Sequence, residues 1–77
     1  MPKFFFHVSQ GGQVQTDQDG LELPDANAAW RQAVASTGES MRDLNGELET
    51  GAPWRLDVIG EQGQLVHAIE VKALVKG

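Results

Sequence analysis

The chain has 77 residues, no cysteine and a formal net charge of −5, from 11 acidic and 6 basic residues. This length allows one domain, residues 1–77, and the lack of cysteine excludes disulfide bonds and thiolate metal ligands. The basic residues are scattered and form no basic patch, which argues against nucleic-acid binding and against adsorption to anionic membranes.

The first strong pattern is a run of aromatic residues near the start of the chain. All three phenylalanines are adjacent, and adjacent aromatic residues favour an extended strand, which we place at Lys3–Ser9. Successive strand residues point to opposite faces, so Phe4 and Phe6 would share one face. Phe5 and His7 would then lie on the other face, where an aromatic side chain needs a role of its own.

Two turns and two short extended segments follow this strand. Gly11 and Gly12 tolerate the positive φ of a tight hairpin turn, so residues 13–16 are predicted to pair with the first strand. Residues 17–20 are predicted to form a turn in which aspartate side chains bond nearby backbone amides. Residues 21–23 are predicted to be a short extended piece that ends before Pro24.

The strongest helical signal begins at Asp25, whose carboxylate suits an N-cap next to the positive end of the helix dipole. Apolar residues then recur at three- and four-residue spacing, which predicts a helix of about 20 residues. It would end near Asn45 and Gly46. Gly38 weakens the middle by about 1 kcal/mol and could kink the helix there. The predicted apolar face comprises Ala26, Ala29, Trp30, Ala33, Val34, Thr37, Met41 and Leu44.

A second hairpin is predicted after a polar loop at residues 47–53. Residues 54–59 alternate in polarity, which is typical of a strand with one buried face. One face holds Trp54, Leu56 and Val58, and the other holds Arg55, Asp57 and Ile59. Residues 60–63 are predicted to be the hairpin turn, and residues 64–71 the last strand.

The orientation of the last strand is ambiguous from the pattern alone. We expect Leu65, Ile69 and Val71 to face the core. His67 falls on the same side, so it would lie at a sheet margin or beneath a helix end. Val66 is then expected on the opposite face, together with Ala68 and Glu70.

The order strand, strand, helix, strand, strand predicts an α+β fold with two layers. In this ββαββ arrangement a four-stranded antiparallel sheet carries one long helix across one face. The helix side of the sheet is expected to hold Phe4, Phe6, Val8, Trp54, Leu56 and Val58. The helix is expected to place Trp30, Ala33, Val34 and Met41 against it.

Three segments resemble one family of short bacterial proteins. They are residues 1–8 (MPKFFFHV), residues 19–25 (DGLELPD) leading into an alanine-rich helix, and the hairpin at residues 56–63. The family is common in alphaproteobacteria and is classed as a domain of unknown function. The resemblance covers essentially the whole chain and implies a bacterial cytoplasmic setting. The lack of a signal peptide and of an apolar run of about 20 residues agrees with that setting.

The two histidines, His7 and His67, are the first candidates for chemistry, and both lie on predicted strands. Two imidazoles can begin a zinc or copper site, but such sites need three or four ligands. The alternative for His7 is a half-buried sheet residue that donates a hydrogen bond and fixes local structure. Acid–base or ligand-binding chemistry at His7 is a third interpretation.

Catalytic motifs are absent from the sequence. It has no Gly-x-Ser-x-Gly elbow and no phosphate-binding glycine loop with a lysine. We therefore predict a protein that is not an enzyme and that uses no cofactor and no metal.

The sheet face that the helix leaves uncovered carries the main functional prediction. It is either an ordinary exposed face or an interface with a second copy or another protein, centred on Phe5. We favour the interface, and therefore a homodimer or a protein partner. Its candidate residues are Phe5, His7, Arg55, Ile59 and Val66. Two alternatives are a metal- or small-ligand-binding protein that uses His7 and His67, and a small acidic inhibitor of a basic partner.

Overall fold

The computed structural model of the chain describes residues 1–44 and 52–74. These ranges contain one helix and five strands: β1 (Lys3–Gln10), β2 (Gln13–Gln15), β3 (Leu21–Glu22), α1 (Ala26–Leu44), β4 (Trp54–Ile59) and β5 (Leu65–Val71). The predicted helix end at residues 45–46 and most of the predicted loop at residues 47–53 lie outside the described residues.

The sheet is antiparallel, with the strand order β2-β1-β4-β5, and β3 pairs with the start of β1. The predicted α+β class is confirmed, but the sheet has five strands rather than four. The additional strand is the extended piece after residue 20, whose Leu21 lies opposite Phe4. A strand of two residues is too short to show an alternating pattern, so the sequence did not reveal this pairing.

Both predicted hairpin turns are confirmed, and glycine carries the unusual backbone conformation in each. Gly11 and Gly12 have φ values of 56° and 85°, the positive signs that a two-residue type I′ turn requires. In the second turn the Gly60 N–H donates to the Gln64 carbonyl at 2.9 Å, and Gly63 has a φ of 82°.

The core is centred on β4, which lies between β1 and β5. Trp54, Leu56 and Val58 are each no more than 2% exposed, as the alternation predicts. From β1 only Phe4 is fully buried, while its neighbours on the same face are half-buried. Each large apolar side chain removed from water contributes about 1.5–3 kcal/mol, and the half-buried apolar residues packed around these four add to that stabilisation.

The helix begins where the sequence predicts. The Oδ1 atom of Asp25 accepts a hydrogen bond from the Ala28 N–H at 2.8 Å, which is N-cap geometry. The helix continues without a break past Gly38, so the kink that this glycine could have caused does not occur. In the described parts of the chain no helix is both long enough and apolar enough to cross a membrane.

The predicted orientation of the helix is partly wrong. Ala29 and Ala33 are completely buried against the sheet, but Trp30 is 43% exposed and Val34 is 49% exposed. Successive residues of a helix are rotated by about 100° around its axis, so Trp30 and Val34, which follow the buried Ala29 and Ala33, point to the flank of the helix. The helix presents Ala29 and Ala33 to the sheet, Trp30 and Val34 lie at its side, and Met41 packs against the core as predicted.

A β-bulge corrects the predicted orientation of β5. Val58 lies opposite His67, but the next residue, Ile59, lies opposite Leu65, so Val66 is an extra residue. Leu65 consequently shares a face with Ile59 and is 56% exposed, and its predicted core position is wrong. Val66 packs against the core instead of sharing a face with Ala68. Ile69 and Val71 face the core as predicted.

Two leucine-to-alanine substitutions test this description of the core. Leu56→Ala should lower the free energy of unfolding by about 2–5 kcal/mol, because it opens a cavity in the fully buried core. Leu65→Ala removes the same atoms from an exposed site and should cost about 0.5 kcal/mol. Urea denaturation of both variants measures the difference, and equal losses would contradict the assigned bulge.

Candidate functional site

The face of the sheet opposite α1, which we call the open face, contains three cross-strand rows, with Lys3 and Glu22 paired beyond one end and Val14 beside Ser9 at the other. The register of β1, β4 and β5 places them side by side. The apolar row is Phe5, Ile59 and Leu65; the mixed row is His7, Asp57 and Ala68; the polar row is Ser9, Arg55 and Glu70. Four of the five predicted interface residues therefore lie together, and Val66 does not belong to them.

The turn before β3 holds Phe5 in place at one end of the apolar row. Gly20 has a φ of 73°, and a Cβ atom added there would lie 2.8 Å from the Phe5 ring and 2.7 Å from the Lys3 side chain. Only glycine allows both this backbone conformation and this close approach. Phe5 is half-buried for this reason, and its ring is packed against the turn.

Ion pairs neutralise the polar part of the open face. Arg55 Nε lies 2.8 Å from Asp57 Oδ1, and Arg55 Nη1 lies 3.7 Å from Glu70 Oε2. Lys72 Nζ lies 3.2 Å from Glu70 Oε1. Such partly exposed pairs contribute at most about 1 kcal/mol each to stability. Their main consequence is that two positive and two negative charges cancel on this surface.

The turn between β2 and β3 is organised by Asp17. Its Oδ2 atom accepts from the Phe6 N–H at 3.2 Å, and its Oδ1 atom accepts from the N–H groups of Asp19 and Gly20 at 3.2 and 3.1 Å. The Asp17 N–H donates to His7 Nδ1 at 3.0 Å. The predicted aspartate turn is confirmed, and it also bonds to β1 between the stretches that pair with β2 and β3.

These contacts lower the pKa of the Asp17 carboxyl below its ordinary value of 3.8. Burial is the largest single influence and raises the pKa, because it disfavours the charged form. The three backbone N–H donors, together with the nearby His7, outweigh burial because they stabilise the carboxylate. Asp17 is therefore ionised at neutral pH.

The contact with Asp17 fixes the role of His7. Because Nδ1 accepts a hydrogen bond, the neutral ring carries its proton on Nε2. A histidine that bound a metal through Nε2 would need its proton on Nδ1, and the bond to the Asp17 N–H would be lost. His7 is thus a half-buried residue that fixes local structure, as predicted, although it accepts the hydrogen bond rather than donating one.

His67 lies on the other side of the sheet, opposite Val58. Its Nε2 lies 3.0 Å from the carbonyl oxygen of Ala26, the first residue of α1, and its ring centroid is 5.3 Å from that of Trp30. The predicted position beneath a helix end is confirmed. His7 and His67 do not meet, and no group of three or more metal-ligating side chains occurs within residues 1–44 and 52–74.

Sequence reasoning missed two features of this region. The bond between Asp17 and His7 was not foreseen, because it depends on how β2 and β3 fold back along β1. Leu65 was assigned to the core, although it completes the apolar row of the open face. Its polar surroundings, residues 61–64, were the one sequence signal for an exposed position.

Comparison with known proteins places the chain in a family. A family model described as "Domain of unknown function (DUF6894)" matches residues 3–72. The chain therefore belongs to this family. The predicted membership in a family classed as a domain of unknown function is confirmed. No curated protein and no solved structure matches the chain.

The Asp17 turn gives a pH-dependent prediction. The pKa of Asp17 is lower in the folded than in the unfolded chain. The contribution of this carboxylate to stability is therefore complete at pH values above the ordinary pKa of 3.8, and it is lost as the pH falls through the lowered pKa of the folded chain. Asp17→Asn should therefore reduce the free energy of unfolding by about 1–2 kcal/mol at about pH 6, and the difference from the wild type should shrink below about pH 4.

Urea denaturation across this pH range measures the effect. Asp19→Asn is the matched control. It removes an equal charge only two residues from Asp17, but the Asp19 carboxylate accepts no hydrogen bond from the described residues. Equal effects of Asp17→Asn and Asp19→Asn at every pH would contradict the assigned role of Asp17.

Proposed function

We propose that this member of the DUF6894 family is a non-enzymatic interaction module that self-associates through its open face. The observation that carries the proposal is the apolar row of Phe5, Ile59 and Leu65 on the side away from α1. Directly opposed side chains in a sheet lie about 4.5–5.5 Å apart, so the three form one continuous patch. A patch of this kind is typical of an interaction surface.

The distribution of charge supports a second copy of the chain as the partner. The open face carries the basic residues Lys3, Arg55 and Lys72 and three of the 11 acidic residues, Glu22, Asp57 and Glu70, so its charges balance. The remainder of the chain carries the acidic excess, so copies that meet through its acidic surfaces repel each other. A twofold axis through the apolar row would place that row against itself and one balanced set of charges against another.

The setting and the charge pattern also agree with a protein that binds other proteins. A half-open groove of about 270 Å³ near β2 is lined by amide and apolar side chains, namely Val8, Gln10, Gln13, Val14 and Gln15. The sequence resemblance supports a bacterial cytoplasmic setting, and the scattered basic residues support a protein partner rather than nucleic acid or a membrane.

Substitution of Leu65 tests the proposal with little risk to the fold, because this side chain is exposed. Leu65→Asp places a charge in the apolar row and should halve the molar mass of the assembly in light scattering. Leu21→Asp is the matched control, since Leu21 is an exposed strand residue that shares the other face with Phe4. Phe5→Asp should act like Leu65→Asp, at some additional cost in stability because Phe5 packs on Gly20.

A wild-type chain that is monomeric at high concentration would contradict self-association. The same conclusion would follow if Leu65→Asp and Leu21→Asp had the same mass as the wild type. Circular dichroism of each variant shows whether the fold is retained.

A further inference from the structure

The first observation concerns the outer edge of β5. This seven-residue strand pairs with β4 on one side, and within residues 1–44 and 52–74 it is the last strand of the sheet. An edge strand presents a row of N–H and C=O groups that can pair with another strand. The bulge at Val66 disturbs one end of this edge, and Ala68–Val71 continues in regular register.

The second observation is the exposed flank of α1 above β5. Trp30 packs against His67 of β5, which places this flank over the edge strand, and Val34 lies one turn further along the helix. Exposure of both side chains is unusual for a helix of a small domain. The exposed stripe that they form is uncharged, although the chain is acidic: Asn27, Trp30, Val34 and Gly38.

We propose that the β5 edge and this flank of α1 form a second interface, which a second copy of the chain occupies. A twofold axis perpendicular to the sheet would place β5 antiparallel to β5 of the other copy and α1 beside α1 of the other copy. An extended peptide would satisfy the strand edge but leave the flank exposed. A second copy satisfies both features with one symmetry operation.

Strand spacing supports this arrangement. Paired strands lie about 4.8 Å apart, and α1 packs against both β4 and β5, so a helix axis midway between these strands would lie about 2.4 Å inward from β5. The twofold axis would lie about 2.4 Å outward from β5. The two helices would then be about 9.6 Å apart, within the 8–10 Å at which helices pack.

The side chains of the flank fit such a helix pair. An added Cβ atom at Gly38 meets no other atom of the described structure within 4 Å, so this position is open toward the approaching helix. Trp30 and Val34 would be buried between the two helices. Because the stripe carries no charge, it is the part of α1 that can approach its own copy without repulsion.

Val34→Glu tests this interface, and Ala35→Glu is its matched control. Both substitutions add one negative charge at neighbouring exposed positions of α1, but only the first lies on the stripe. Val34→Glu should halve the molar mass in light scattering and speed amide hydrogen exchange along Ala68–Val71. Ala35→Glu should change neither.

A double variant that combines Val34→Glu with Leu65→Asp distinguishes the second interface from the open face. The second interface does not depend on the proposed function of the open face. With both interfaces present and their twofold axes crossing at right angles, the wild type should be a closed tetramer. Each of Val34→Glu and Leu65→Asp should be a dimer, and the double variant should be a monomer. If only Leu65→Asp lowers the mass, the second interface is refuted and the open-face function stands. If only Val34→Glu lowers it, the open-face function fails and the second interface stands. A monomeric wild type refutes both.

Discussion

The width of a single helix is the constraint on which the rest of this structure depends. A helix with its side chains is about 10 Å wide, whereas four strands at about 4.8 Å spacing extend about 14 Å from the first to the last. Helix α1 packs over β4 and β5, so the core is centred on β4. Phe6 and Val8 of β1 remain half-buried, and the whole opposite face of the sheet lies away from the helix.

The helix and the sheet contribute differently to the core. The sheet supplies the volume, through Trp54, Leu56 and Val58, and the helix supplies the small contact surface of Ala29 and Ala33. Small side chains let the helix approach the sheet closely at Ala29 and Ala33. Trp30 and Val34, which follow these alanines, lie at the flank, whereas Met41 in the last turns packs against the core. The surface available for association is a direct result of how the core is packed.

The features that the sequence could predict are those determined by local pattern. Alternation identified β4 and its buried face, paired glycines identified the first hairpin turn, and Asp25 identified the start of the helix. Each of these signals arises within a few residues, where backbone sterics and capping bonds act directly.

The features that the sequence could not predict depend on contacts between distant segments. The bulge at Val66 reverses the expected faces of two residues, and nothing in the local pattern marks it. Helical periodicity identified an apolar stripe but did not show that Ala33 rather than Trp30 lies at its centre, since both fit the spacing. The sheet face of each candidate interface residue was predicted correctly where it depended on strand alternation, as for Phe5 and Ile59, and wrongly for Val66, where it depended on the bulge.

The two edges of the sheet are protected from pairing with another strand to different extents. Beside β1, the short strands β2 and β3 leave a gap that the Asp17 turn closes by accepting the Phe6 N–H. The resulting edge strands have only three and two residues, too short to serve as a good template for another strand. The opposite edge, β5, has seven residues and one bulge near its start. Among residues 1–44 and 52–74 no strand or turn covers the outer side of β5, so this is the edge at which the proposed second interface would extend the sheet.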